Sequence, residues 1–119
     1  MDYRSKTIFC DIDGTLVKHV SPSTASHPKH NMEILEGTIE KLIEWDKKGY
    51  NIILTTGRKE SLRKVTKKQL SKAGIFYDQL IMGIGGGPRI LINDNKTTGI
   101  EAASHICLTR NEGIKNINI

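Results

Sequence analysis

Two carboxylates one residue apart, Asp11 and Asp13, close the apolar run Ile8-Phe9-Cys10 and are followed at once by Gly14 and Thr15. Like charges held that close repel, and the pair becomes favourable when a divalent cation or a shared proton lies between them. The apolar run reads as a buried strand, with Gly14 and Thr15 marking the turn where the chain leaves it. A cation site at the end of a strand is therefore the chemistry this stretch predicts.

Two more apolar runs end in polar groups. Ile52-Ile53-Leu54 leads into Thr55-Thr56-Gly57-Arg58, and Ile90-Leu91-Ile92 leads into Asn93-Asp94. In a parallel sheet such ends lie along one edge, outside the carboxyl ends of the strands, where ligands of α/β proteins bind. Asp11, Asp13 and Asp94 would then meet there with a threonine hydroxyl. Hard oxygen ligands of this kind suit Mg²⁺, which keeps several waters and is commonly completed by a substrate phosphate.

The elements that must position these residues follow from hydrophobic period and from turn residues. Residues 7–12 form the first strand, continuous in hydrophobicity as in a central strand covered on both faces. Residues 17–36 are polar and broken by Pro22 and Pro28, so they read as a long loop that meets substrate; it carries His19, His27 and His30 at spacings that match no zinc site. Ile39, Leu42 and Ile43 recur at helical spacing, with Gly49 just past the last turn. A second strand covers residues 50–54. The next helix sets Leu62, Val65, Leu70 and Ala73 against a face of Arg63, Lys64, Lys67, Lys68 and Lys72, and closes at Gly74. Residues 79–82 form a short third strand, the glycine run 83–87 a turn, and residues 89–92 a fourth strand. Thr98 and Glu101 fit a capping box for a last helix, and residues 105–108 fit a fifth strand. The order β-α-β-α-β-β-α-β predicts an α/β fold with a mostly parallel five-stranded sheet.

With 119 residues, 37% of them hydrophobic and 26% charged, the chain has the size and composition of one globular domain over residues 1–119. No apolar run approaches a bilayer span and the first residues lack a signal-peptide core, so a cytoplasmic protein with no membrane partner is expected. Cys10 and Cys107 sit in predicted strands and read as small core residues, not as a disulfide. The net charge of +5 suits anionic ligands, although a solvated lysine face on the second helix accounts for much of it.

In these residues the chain resembles the haloacid dehalogenase-like (HAD) phosphohydrolases. Asp11-Ile12-Asp13-Gly14-Thr15 matches the first motif in full, Thr56 closing an apolar strand matches the second, and Asp94 after Leu91-Ile92-Asn93 matches the fourth. The order and spacing agree over residues 6–108. The resemblance implies a three-layer Rossmann-like core and a Mg²⁺-dependent phosphatase. Asp11 would attack phosphorus to give an aspartyl-phosphate, and Asp13 would serve as general acid and base. Mg²⁺ would be held by Asp11, Asp94 and the backbone carbonyl of Asp13. Thr56 would bind a phosphoryl oxygen, with Thr55 as the fallback, alongside Gly57, Arg58 and backbone N–H groups near Gly14.

The family's third motif, a lysine near the site, has no counterpart. Arg89 is the nearest cation, with Arg58, Lys64, Lys67 and Lys68 as rivals. Nor is there room for a cap domain, so the pocket should be open unless a second subunit of a homo-oligomer covers it. A small phosphorylated substrate, a sugar or metabolite phosphate, is the expected partner, while the sequence lends nucleic acid no specific support; nucleic-acid or protein phosphates are the alternative substrates. Two other classes compete. A receiver-type phosphoacceptor is disfavoured because mid-chain Thr55 and Thr56 stand where its acceptor Asp belongs. A silent metal-binding scaffold draws its support from the missing lysine.

Overall fold

A computed structural model describes residues 5–95 and 101–119. Its order is β1 (Thr7–Asp11), α1 (Pro22–Ala25), α2 (Thr38–Lys47), β2 (Asn51–Thr55), a 3₁₀ turn (Glu60–Leu62) running into α3 (Arg63–Ala73), and β3 (Gln79–Ile81). The three strands are parallel in the order β1-β2-β3. This is the α/β arrangement expected, with α2 and α3 as crossovers. No helix of the described residues is long and apolar enough to cross a membrane.

β2 is the central strand, and Ile52, Ile53 and Leu54 are buried in succession, as two-sided coverage requires. Asp78 extends its ladder. Its N–H donates to the Ile52 carbonyl at 2.8 Å, and its carboxylate accepts the Ile52 N–H at 2.7 Å. α3 ends at Gly74 in the left-handed conformation (φ 77°), where the Ile75 N–H reaches back to the Leu70 carbonyl.

β1 departs from expectation. It is an edge strand among the described residues, and Phe9 is 55% exposed. The strands expected at residues 89–92 and 105–108 do not form; Ile90, Leu91, Ile92 and Ile106 all face solvent. Connectivity explains the first of these. A parallel crossover takes about a dozen residues, whereas residues 83–88 are fewer and are partly consumed by folding back, with the Gly83 and Ile84 N–H groups donating to the Arg58 and Thr56 carbonyls. A fourth strand beside β1 is thus out of reach of this connection. The capping box expected at Thr98 lies outside the described residues, and residues 101–103 are not helical. Cys107 is exposed, so only Cys10 is the core cysteine expected.

The buried face of α2 is Thr38, Leu42 and Trp45, while Ile43 turns outward. The Thr38 hydroxyl donates to the Leu16 carbonyl at 2.8 Å, fastening α2 under the turn that follows β1. Residues 17–36 form an arch rather than an open loop. Its base is closed by a Val17–Ile34 bridge and by Lys18 N–H on the Glu33 carbonyl, and its tip carries α1, capped by Ser21.

The last residues return across this arch and bury Ile114 in the core. Close approach here demands Gly37, at φ 85°: a Cβ there would lie 2.3 Å from the Lys115 Cβ. Gly37→Ala should therefore lower stability by about 2 kcal/mol, measured by urea unfolding. An unchanged midpoint would show that the return segment is not held against α2.

Candidate active site

β1 delivers Asp11 to the carboxyl edge of the sheet, level with Thr55 of β2. The turn that follows is set by the backbone. Leu16 and Val17 N–H groups converge on the Ile12 carbonyl, and Gly14 at φ 86° donates its N–H to the Val17 carbonyl at 2.7 Å. That N–H is consequently committed to the turn itself, and any phosphate contact in this stretch falls to its neighbours. The Thr15 hydroxyl donates to Asp11 Oδ2 at 3.2 Å, which fixes the carboxylate from one side.

Although Asp11 reaches solvent, its carboxyl pKa is raised above the ordinary value. Desolvation by the surrounding protein is the main cause, and the Asp13 charge adds to it; the Thr15 and Ile12 hydrogen bonds and the Arg89 charge act the other way. The Arg89 charge is thus felt at Asp11. Beneath it, burial pushes the Cys10 thiol up to about 12, so this sulfur is chemically inert beside the site.

Asp13 is engaged differently. Arg58 grips it with a two-pronged fork, Nε to Oδ2 and Nη2 to Oδ1, both at 2.9 Å. The third arm, Nη1, donates to Gln69 Oε1 at 2.7 Å and to Thr66 Oγ1 at 3.2 Å. Gln69 passes the connection on, its Nε2 donating to the Ala25 carbonyl at 2.8 Å and the His27 carbonyl at 3.4 Å. The Arg58 side chain is only 8% exposed. Four of its five side-chain N–H donors bond within the protein, so in this structure Arg58 is first the holder of Asp13, with one Nη2 hydrogen left over.

Thr56 is buried, and its hydroxyl oxygen accepts the Arg58 N–H at 3.1 Å, leaving its own proton to donate. Thr55 is half-buried and paired in register with Asp11. Gly57 lies under the glycine turn, where a Cβ would meet the Gly85 carbonyl oxygen at 3.0 Å. Tight packing against the turn is what the glycine provides there.

Asp94 is exposed in a stretch without regular secondary structure, and no group of three His, Cys, Asp or Glu side chains suited to a metal ion occurs among the described residues. The expected cage of Asp11, Asp13 and Asp94 is not assembled. Mg²⁺, however, is often held by one or two carboxylates and completed by waters and substrate phosphate. The Asp11 carboxylate and Asp13 backbone carbonyl are a donor set of that kind. Two open clefts, of about 360 Å³ along α2 and about 340 Å³ between Ser23 and His30, lie away from Asp11.

Sequence reasoning missed Thr66 and Gln69. The signal was available as two polar residues on the buried stripe of α3 between Leu62 and Ala73. It also missed Asn111, whose N–H donates to the Gly14 carbonyl and whose side chain accepts from His19.

The family model described as the polynucleotide kinase PNKP phosphatase domain matches residues 5–86. Among solved structures, a Pnkp1/Rnl/Hen1 RNA repair complex contains a chain 31% identical, with TM-score 0.55, over 66% of this chain and 25% of that one. A second Pnkp1/Rnl/Hen1 complex gives 30% identity and TM-score 0.57 over 76% of this chain and 31% of that one. A crystal structure from Vibrio cholerae, 21% identical, shares the fold with TM-score 0.53 over 77% of this chain and 82% of its own. No curated protein sequence matches. The chain spans only a quarter to a third of the length of the first two relatives.

Arg58→Lys keeps the charge but loses the planar fork. We expect stability to fall by about 2 kcal/mol, read by urea denaturation with the fold checked by circular dichroism. A midpoint equal to that of the unsubstituted protein would mean that the fork contributes nothing.

Proposed function

The chain belongs to the family of the polynucleotide kinase PNKP phosphatase domain, within the HAD-like phosphatases, and on that premise we propose that it hydrolyses a terminal phosphomonoester of a polynucleotide. The observation that carries the chemistry is the turn that presents Asp11 at the end of β1 beside a carboxylate locked by Arg58. Three features support a polymeric substrate over the sugar or metabolite phosphate suggested by sequence alone. The family description names polynucleotides, one related structure is an RNA repair complex, and α3 carries Lys64, Lys67, Lys68 and Lys72 on exposed positions with no acidic residue in the helix. Cationic helix faces suit a phosphodiester backbone.

In this reading Asp11 attacks phosphorus with the oxygen not held by Thr15, and the bond from phosphorus to the leaving oxygen breaks. The leaving oxygen takes a proton from Asp13, which then removes one from the water that hydrolyses the aspartyl-phosphate. Arg58 occupies one direction at each Asp13 oxygen and leaves the remaining lone pairs for this proton traffic. Thr55 or Thr56 donates a hydroxyl proton to a phosphoryl oxygen, and Arg89, whose charge reaches Asp11, stands in for the absent lysine. Mg²⁺, when bound by the Asp11 carboxylate and the Asp13 carbonyl, would supply charge screening between nucleophile and phosphate.

Purified protein should release phosphate from oligonucleotides with a terminal phosphate faster than from hexose phosphates, and EDTA should stop it until Mg²⁺ is restored. Asp11→Asn should cut the rate by more than about a thousandfold with the circular dichroism spectrum unchanged. Preference for the hexose phosphates would restore the metabolite reading, and turnover undiminished in Asp11→Asn would exclude the mechanism.

A further inference from the structure

The segment that returns from the far end of the chain meets the nucleophile turn at one residue. Asn111 has φ 68°, the one positive φ outside glycine among the described residues. Its backbone N–H donates to the Gly14 carbonyl at 2.8 Å, and its side-chain Oδ1 accepts the His19 N–H, also at 2.8 Å. It therefore holds both ends of residues 14–19. The stem of Arg110 lies over Gly14, close enough that a Cβ there would stand 3.2 Å from Arg110 Cγ. Behind it the segment is anchored by buried Ile114 and by the Lys115–Glu36 ion pair.

Two physical points give this contact a consequence. Asn tolerates the left-handed backbone better than other non-glycine residues because its short polar side chain bonds locally, so the position selects residue type as well as shape. The clamped turn contains Thr15, whose hydroxyl orients Asp11, and misplacing a reacting group by about 1 Å can cost on the order of a hundredfold in rate. Gly14, conformationally free by itself, is held in one state from outside.

We propose that Asn111 is a positioning residue: residues 109–111 form a strap that fixes the turn at 14–19, keeping the Thr15 hydroxyl on Asp11 and the carboxylate aimed for attack. The strap lies outside residues 5–86, the part matched by the family. The catalytic consequence rests on the phosphatase reading, whereas the mechanical one does not.

The test compares Asn111→Ala, Asn111→Gly and Asn111→Asp with unsubstituted protein, using a terminally phosphorylated oligonucleotide for kinetics and amide hydrogen exchange for the turn. Asn111→Ala loses the side-chain acceptor and strains the backbone; kcat should fall about tenfold with KM within about twofold. Exchange at residues 14–19 should accelerate while β2 keeps its protection. Asn111→Asp, which retains acceptor and backbone tolerance, should restore both readouts, and Asn111→Gly should recover them in part. Unchanged exchange at residues 14–19 in Asn111→Ala overturns the strap. So does a fall in kcat that only mirrors the unfolded fraction measured by thermal melting, or a kcat equal to that of unsubstituted protein. If no variant, including the unsubstituted protein, releases phosphate, the phosphatase reading fails, and the exchange result alone still decides whether Asn111 holds the turn.

Discussion

The Arg58–Asp13 fork is the constraint around which the rest of this site is arranged. Burying a guanidinium costs several kcal/mol of lost hydration, a penalty met when its donors are satisfied in good geometry. Here four of the five are: two arms hold Asp13 and the third is shared between Thr66 and Gln69. The ends of β1 and β2 and the inner side of α3 are thereby locked together, and Gln69 extends the lock to the arch at Ala25. A carboxylate fixed in this way cannot swing to follow a substrate, so the substrate must come to it. That is the condition electrostatic preorganisation requires.

Much of this was legible in the sequence, for identifiable reasons. The continuous apolar run of β2 located it because a strand covered on both faces needs no polar face, the run of β1 located a strand although its outer side stays exposed, and Gly74 marked the end of α3 because a helix commonly closes on a left-handed residue. The pair Asp11 and Asp13 was legible because a polar interruption of an apolar run leaves few structural explanations. The fork was not. Arg58 looked like a phosphate ligand by its place after a strand, and nothing local reveals a partner that lies 45 positions away. The apolar stretch at residues 89–92 has the composition of a strand, but composition does not measure the connection, and the turn before it is too short to cross the sheet.

The glycine run 83–87 illustrates how one segment meets two demands. It packs against Gly57 and spends its first two N–H groups on the Thr56 and Arg58 carbonyls, which stabilises the second of the two strand ends. Having done so, it leaves Arg89 where its charge reaches Asp11. The Asn111 strap bounds the turn after Asp11 on one side, while the β1 edge and Phe9 stay exposed among the described residues. On the function proposed above, an approach left open in this way suits the end of a polymer better than a small molecule that must be enclosed to be recognised.

The central claim is that the oxygen of residue 11 becomes covalently attached to phosphorus during turnover. Reaction with substrate followed by a borohydride quench reduces an acyl phosphate to the corresponding alcohol, and peptide mass spectrometry locates the altered residue. The account predicts substrate-dependent conversion of Asp11 to homoserine, with Asp13 and Asp94 unaltered. Reduction at a different aspartate, or none while phosphate is being released, would contradict it.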